Sequence, residues 1–552
     1  MAESTILIGG KAGDGINRAG SIIGRLYAAC GYRIYMYYDY PSLIRGGHNF
    51  AVLRASDREV ATHRERVDFL LALDKNTLEK HEERTGEETS IIYNSDMVKE
   101  EWPGIAVPIA TITEEAGGLP IMENSCLIGA FSKVAGFSWE TVELVLKKEI
   151  PRAIEKNLTI ARRGYEAVEA KGEVKPLQKE TLPLFSGNEA IALGLLAAGL
   201  DTYIAYPMTP SSGILHFLAA EATRFGINVI HPENEIAVIL MAEGAAYAGA
   251  RSAVGTSGGG FALMNEGFSM AGMTEVPVTV VVSQRGGPST GTPTYTAQGD
   301  LLFVLRAGHG EFPRFVIAPG TPEQAVEWSA QALNLSWKYQ VPVIVLVDKT
   351  LSEGVYTLDP TAIEGAGPIP PPWSKEGAGY RRYADTESGV SPLAVPPLKG
   401  SAIKVNSYAH DEDGYTTEHA GTVAWLHEKQ MRKVRFMREE IESLSPVVRS
   451  GVEESRTALL CWGSNAGVCR EVAENLGIVT VQPVVLEPFP ARAMHSALEG
   501  IARLIAVEDS FTGQLSGLME GYGFGVDEKI LRYDSRPLSV DELSRRVEEV
   551  RK

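Results

Sequence analysis

Short apolar runs of strand length alternate with stretches of helical spacing along most of the chain. In residues 1–166 the runs fall at 4–8, 32–38, 50–54, 69–73 and 90–93, an alternation that predicts an α/β unit. A charged, Lys/Glu-rich stretch at 167–182 follows and reads as a linker. Between 183 and 352 the alternation is clearest, with strands predicted at 201–205, 228–231, 252–256, 278–283, 314–318 and 342–347. Helical patterns such as 235–250 lie between them. Repeated strand–helix–strand units require right-handed crossovers and hence a parallel sheet. Residues 353–455 hold a proline cluster, polar turns and one charged helix near 422–444, and read as a long connection to another domain or another subunit. From 456 to 552, strands at 457–462, 478–481 and 504–507 again alternate with helices. The fold class is α/β and multidomain, which a length of 552 residues also requires.

Ligands of open parallel sheets bind where strands end, because loops and helix N-termini converge there. Four unusual segments follow predicted strands of the 183–352 unit: Tyr206-Pro207-Met208-Thr209-Pro210-Ser211-Ser212, His231-Pro232-Glu233-Asn234-Glu235, Ser257-Gly258-Gly259-Gly260 and Gln284-Arg285-Gly286-Gly287-Pro288-Ser289-Thr290-Gly291. Each has a plain structural reading. Thr209 can cap a helix with Pro210 at its first position. Glu235 can complement a helix dipole, and the glycines can make a tight turn. Arg285 among Gly, Pro, Ser and Thr is harder to reduce to a turn, because such a loop lets the backbone approach an anion. Together the four predict a binding cleft.

Charge and cysteine usage narrow the chemistry. With 70 acidic and 52 basic side chains the net charge of −18 repels nucleic acid, and no basic stripe offsets it. Cys30, Cys126, Cys461 and Cys469 form no CxxC pair, so neither a tetrahedral zinc site nor an iron–sulfur cluster is expected within this chain, and no metal site is assigned to it. No apolar run approaches the roughly 20 residues that cross a bilayer, and the start of the chain carries no basic leader. A cytoplasmic protein without membrane partners is expected.

The motifs from Ser186-Gly187-Asn188-Glu189-Ala190 through YPMTPSS, HPENE, SGGG and QRGGPSTG to Gln298-Gly299-Asp300-Leu301 and Gly308-His309-Gly310-Glu311 resemble the α subunit of 2-oxoacid:ferredoxin oxidoreductases. That resemblance implies a thiamine-diphosphate pyrimidine-binding domain at 183–352. It implies that Glu235 hydrogen-bonds the aminopyrimidine ring, with Glu233 as its rival; Gly244, nine positions on from Glu235, lies where related enzymes place a helix glycine. It implies a substrate carboxylate held by Arg285 and Thr209, Ser211 and His309 near the same mouth, and Pro207, Ser257, Gly258 and Gly259 on the pyrimidine side. The loop reads SGGG where related enzymes often have SGPG.

The flanking units resemble the same family. Gly10-Lys11-Ala12-Gly13-Asp14-Gly15, Tyr40-Pro41-Ser42-Leu43-Ile44-Arg45-Gly46-Gly47-His48 and the stretch 124–136 are similar to the γ subunit, fused here ahead of α over 1–166. This implies a role in coenzyme A binding for Gly13, Gly15, Arg45, Gly46 and Gly47, although Ala12 and Asp14 depart from the usual glycine loop. Residues 456–552 resemble the transketolase C-terminal domain, expected as a scaffold. No segment resembles the diphosphate-binding motif that holds Mg²⁺. The resemblance assigns that motif and a [4Fe-4S] cluster to a separate β subunit, in a dimer of αβ pairs that reduces ferredoxin. The fused layout points to 2-oxoglutarate, with pyruvate, branched-chain 2-oxoacids or a non-redox thiamine-dependent aldehyde transfer as alternatives. The physiological direction is left open.

Overall fold

Two strands of the second unit, Val278–Gln284 and Pro342–Asp348, consist of buried residues throughout. Their sequences, VTVVVSQ and PVIVLVD, are what a parallel strand covered on both faces demands. The computed structural model describes residues 3–41, 47–363, 367–375 and 377–552. The chain divides into two units. One comprises residues 1–185, 354–359 and 538–549, and the other residues 186–353, 360–537 and 550–552.

The first unit is built on an eight-stranded sheet in the order Ile105–Val107, Ser90–Asn94, Phe69–Ala72, Glu3–Lys11, His48–Ser56, Arg33–Asp39, Val355–Thr357, Leu184–Ser186. The first four strands run parallel, and His48–Ser56 and Arg33–Asp39 form antiparallel pairs. Helices Ile16–Ala29, Glu123–Ala135 and Ile154–Glu166 cover the sheet with one apolar cluster. Gly129 and Gly164 let the last two approach closely, since an added Cβ at either would stand about 2 Å from a backbone oxygen of the other helix.

Three parts of this unit differ from the sequence reading. Residues 167–182 do not hang free as a linker. Leu177 N donates to the Cys30 carbonyl at 2.8 Å, and the Tyr32 hydroxyl to the Lys175 carbonyl at 3.2 Å. The connection after 353 returns a strand, Val355–Thr357, to pair antiparallel with Arg33–Asp39. The helix Val540–Arg551 belongs for most of its length to this unit and not to the 456–552 domain. Thr62 Oγ1 donates to the Leu538 carbonyl at 2.8 Å, and Asp541 pairs with Arg64 at 2.9 Å.

The second unit holds the predicted parallel sheet, in the order Val485–Glu487, Phe315–Ile317, Pro342–Asp348, Val278–Gln284, Ser252–Thr256, Thr202–Ile204, Asn228–Ile230. Only the edge strand Val485–Glu487 is antiparallel to its neighbour. A five-stranded sheet, Val447–Gly451, Val479–Pro483, Thr457–Leu460, Arg503–Glu508, Glu528–Leu531, shares one apolar core with it. Residues 367–375 and 377–419, largely without regular structure, are held by buried polar contacts: Arg382 donates to the Glu275 carbonyl and to Gln340, and Tyr383 packs on His410 with ring centroids 3.7 Å apart. The charged helix runs over Ala420–Ser443 and docks through Lys429 and Lys433, both buried, onto the Glu275 carboxylate at 2.6 and 2.7 Å.

Candidate active site

At the carboxyl ends of the parallel strands the four sequence motifs meet. Asn228–Ile230 ends in the His231–Asn234 loop, and the helix Glu235–Tyr247 starts immediately afterwards. The Asn234 side chain caps that helix by accepting from Ala237 N at 3.0 Å, which fixes Glu235 as its first residue. Glu235 is 3% exposed and its Oε1 has no hydrogen-bond partner. Its rival Glu233 is exposed. A buried acceptor left unmatched is costly unless a ligand satisfies it, so the burial difference favours Glu235 as the ligand-facing carboxylate.

The glycine loop is shaped by two carboxyl groups. Ser257 precedes the helix Gly258–Thr274 without capping it through its side chain. An ideal Cβ at Gly260 would lie 2.0 Å from Thr256 Oγ1 and 2.5 Å from Glu235 Oε1. At Gly258 it would lie 2.1 Å from Asp300 Oδ2, whereas at Gly259 it meets only the Ser289 carbonyl, at 3.8 Å. The Thr256 and Ser257 hydroxyls are likewise buried without partners. This set of buried, unpartnered oxygens around glycine backbone, one carboxylate acceptor and two hydroxyls that can donate or accept, fits the polar edge of an aminopyrimidine.

Arg285 lies directly beyond Val278–Gln284, and its Nη1 donates to the Thr209 carbonyl at 2.8 Å. Arg285 and Thr209 are thus adjacent. Burial lowers the Arg285 pKa, opposed by the neighbouring Asp300 carboxylate. Burial pushes Asp300 up to about 6, opposed by Arg285. Thr209 does not cap a helix, since Ser212–Phe225 starts later with Ser211 before it. Asp300 was not singled out from the sequence as a site residue. It precedes an apolar run, Leu301–Leu305, and so looks like a helix cap, yet it makes no side-chain cap bond and faces Gly258 instead.

Other candidates are placed differently. Ser211 is buried and donates its hydroxyl to the Met208 carbonyl at 2.9 Å, shaping the loop it belongs to. Pro207 is exposed on the same loop. His309 is exposed, and its carbonyl accepts from Ser269 Oγ at 2.8 Å. Ser269 lies eleven residues into the helix that Gly258 begins, about 16 Å along its axis, so His309 is not brought to the cluster. In the first unit, Gly15 (φ 71°) ends the glycine loop and starts Ile16–Ala29. Asp14 Oδ2 already takes the Lys11 amide at 2.8 Å, and Gly13 has open space around it. A carboxylate occupying the loop's own amide does not fit a phosphate there. Gly47 (φ 84°) precedes His48–Ser56, while Arg45 and Gly46 lie outside the described residues. The four cysteines are buried and free, and among the described residues no three His, Cys, Asp or Glu side chains gather as a metal site. No helix among them is long and apolar enough to cross a membrane.

Comparison with known proteins agrees with this geometry. Residues 193–429 match the thiamine diphosphate-binding family of pyruvate flavodoxin/ferredoxin oxidoreductases, and residues 5–167 the pyruvate ferredoxin/flavodoxin oxidoreductase family. The 2-oxoacid:ferredoxin oxidoreductase subunit alpha of Sulfolobus sp is 32% identical, over 97% of this chain and 95% of its own. The 2-oxoglutarate oxidoreductase subunit KorA of Mycobacterium tuberculosis is 27% identical over 94% and 87%. Among solved structures, the 2-oxoglutarate:ferredoxin oxidoreductase from Magnetococcus marinus, with 2-oxoglutarate, coenzyme A and succinyl-CoA bound, matches at a TM-score of 0.91 and 27% identity, over 100% of this chain and 99% of that one. With a strand-end cluster of Glu235, Arg285 and Thr209 and relatives matched nearly end to end, the chain belongs to the 2-oxoacid:ferredoxin oxidoreductase family, among its alpha subunits.

Proposed function

We propose that the chain holds the pyrimidine side of thiamine diphosphate and the substrate carboxylate in a 2-oxoglutarate:ferredoxin oxidoreductase. The balanced reaction is 2-oxoglutarate, coenzyme A and two oxidised ferredoxins giving succinyl-CoA, CO2, two reduced ferredoxins and a proton. The single observation that carries this reading is the buried, unmatched Glu235 Oε1 against the Gly260 backbone. When bound, thiamine diphosphate supplies a carbon nucleophile able to cleave the bond between a carbonyl and a carboxylate. Glu235, buried at the head of its helix, would hold the ring-nitrogen edge of the aminopyrimidine, so that any proton exchanged there would move out of contact with water. Arg285 binds the substrate carboxylate through its planar fork, and its bond to the Thr209 carbonyl fixes the fork's orientation. Positioning of this kind aligns the bond that breaks.

The names of the relatives, each a subunit, support a partner chain. We assign to that β subunit the diphosphate, Mg²⁺ and a [4Fe-4S] cluster, in a dimer of αβ pairs. Ile236, Leu240 and Met241 on the Glu235 helix and Leu263 on the Gly258 helix are each 39–52% exposed, an apolar face beside the site that suits such a partner. Gly244, with nothing near its missing Cβ in this chain, lies on the same helix.

The test is reduction of ferredoxin or viologen by the chain co-expressed with its partner, over a panel of 2-oxoacids. 2-Oxoglutarate should give the highest kcat/KM, and Glu235→Gln should lower turnover by about 10²–10⁴-fold while leaving the unfolding midpoint at or above that of the wild type. Full activity in that variant would overturn the assignment of Glu235. A higher kcat/KM for pyruvate would overturn the substrate.

A further inference from the structure

Asp300 and Arg285 face one cavity of about 430 Å³ in the second unit, whose lining also includes Asp509, Phe511 and Tyr533. We propose that Asp300, in its acid form, gives a proton to the 2-oxo oxygen of the substrate whose carboxylate Arg285 holds. The inference rests on the proposed function and adds the group that neutralises charge at the reacting carbonyl. In this step the carbonyl carbon gains its new carbon–carbon bond from the nucleophile that thiamine diphosphate supplies, and the C=O π bond breaks. The π electrons pass to the oxygen, the O–H bond of Asp300 breaks, and its proton forms the new O–H bond. The negative charge of the nucleophile ends on the Asp300 carboxylate, so atoms and charge balance.

Three observations carry it. First, the backbone around Asp300 is clamped while its carboxyl is left open. The fully buried Gln284 side chain accepts from Asp300 N at 2.9 Å. Gln514 donates to the Gly299 carbonyl at 2.6 Å and accepts from Leu302 N at 2.9 Å. Gln298 donates to the Asp348 carboxylate at 3.1 Å and to the Trp462 carbonyl at 2.9 Å. The Asp300 carboxyl itself makes no cap bond, and no donor among the described residues pairs with it. A rigid mount with an unengaged carboxyl is what a group reserved for a ligand requires. Second, the carboxyl stands between the two halves of the site. Its Oδ2 lies against Gly258, where an ideal Cβ would collide with it, at the loop assigned to the aminopyrimidine. On its other side Arg285 attracts it without forming an ion pair, since Nη1 of that guanidinium turns to the Thr209 carbonyl. The 2-oxo oxygen sits one carbon from the carboxylate and about 3 Å from its oxygens. A carboxylate held by Arg285 therefore keeps that oxygen in the part of the cavity that Asp300 faces. Third, the surroundings allow the acid form. Burial raises the Asp300 pKa to about 6, against the pull of Arg285. The N-terminus of the Gly258–Thr274 helix also favours the carboxylate. Across the cavity, burial holds Asp509 protonated at neutral pH, with a pKa of about 8, and Arg532 and Arg536 are offset by Asp534. Glu235 faces Gly260, further along the loop, and the Leu301–Leu305 helix brings no charged side chain. An anionic substrate adds negative charge, so its binding raises the Asp300 pKa further and loads the proton where it is used.

The test uses the assembled complex with thiamine diphosphate and Mg²⁺. Calorimetry with 2-hydroxyglutarate, which has an oxygen at the same carbon and no carbonyl to attack, is run at pH 7 in two buffers of different ionisation enthalpy. The wild type should take up close to one proton per site on binding, and Asp300→Asn none. In turnover, kcat/KM of the wild type for 2-oxoglutarate should fall about tenfold per pH unit above about pH 6. Asp300→Asn should lose that limb and lie about 10²–10⁴-fold lower at pH 6. The calorimetry decides even where the variant does not fold, since a wild type that takes up no proton overturns the inference. Equal uptake, or the same pH limb, in wild type and variant also overturns it and leaves the proposed function standing. A complex that takes up the Asp300 proton on binding 2-hydroxyglutarate yet oxidises no 2-oxoacid overturns the proposed function and leaves Asp300 as a proton-linked carboxylate site.

Discussion

Adjacent glycines of the SGGG loop should respond oppositely to a single methyl group. At Gly260 a Cβ would stand 2.0 Å from Thr256 Oγ1 and 2.5 Å from Glu235 Oε1, both inside the 3.0 Å that Cβ atoms keep from their neighbours. Neither obstacle can swing away, since Thr256 is a fully buried β-branched residue at a strand end and Glu235 is 3% exposed. Overpacking of this kind costs about 1–3 kcal/mol. Replacing glycine by alanine within a helix recovers about 0.5–1 kcal/mol, so Gly260→Ala should lose about 1–2 kcal/mol in all. At Gly259 the nearest atom is 3.8 Å away and the position is exposed, so Gly259→Ala should keep the gain, about 0.4–1 kcal/mol. Denaturant unfolding of the two variants and the wild type, together with retention of thiamine diphosphate on gel filtration by each one's complex with the partner subunit, is the assay. Gly260→Ala should unfold earlier and lose cofactor because Glu235 is displaced. Should Gly260→Ala match Gly259→Ala in both stability and cofactor retention, the close approach of Glu235 to the loop is refuted.

Other expectations follow from buried charge. Glu275→Gln leaves Lys429 and Lys433 buried without their carboxylate and should destabilise the second unit by about 3–5 kcal/mol, read by chemical denaturation. Asp509 has its pKa raised from 3.8 to about 8, chiefly by burial and then by Asp348. The folded state therefore holds a proton that the unfolded chain releases, and stability falls as pH rises from about 4 to 8. Asp509→Asn should flatten that slope and raise the midpoint at pH 8 relative to the wild type. Glu233→Gln, at an exposed position two residues from Glu235, should retain thiamine diphosphate as the wild type does, and equal loss in the two Gln variants would refute the distinction drawn from burial.

The strand ends were legible in the sequence because buried parallel strands are continuous apolar runs, so whatever polar motif follows each one lies at the same edge. Glu235, Arg285 and Thr209 became candidates in that way, and Arg285 does meet Thr209. What stayed hidden depends on long-range contacts. Asp300 was disguised by a helix-cap context it does not use. The helix after Leu538 continues the composition of what precedes it, yet Thr62 and Arg64, more than 470 positions earlier, hold it in the first unit. Residues 167–182 show the same limit in reverse, because charged composition suggests solvent while the contacts that order the segment are made by backbone groups.

The Glu235 helix carries two features that would each weaken an isolated chain. Glu235 Oε1 is buried without a donor. Two turns on, Glu243 is buried with neither oxygen matched, and burial pushes its carboxyl up to about 8. On the outside of the same helix, Ile236, Leu240 and Met241 stand in water. A helix apolar on all sides is normally enclosed, and an unmatched acceptor is normally met by a ligand. One event, closure of a partner over this face with thiamine diphosphate between, offsets both costs. Thiamine diphosphate should then raise the unfolding midpoint of this chain only when the partner is present, and by an amount that grows with ligand concentration as binding to the folded state requires. A thermal scan of the chain alone and of the complex, with and without the cofactor and Mg²⁺, decides the matter. An equal rise for the chain by itself would mean that it grips the whole cofactor, and the division of the site between two polypeptides would be wrong.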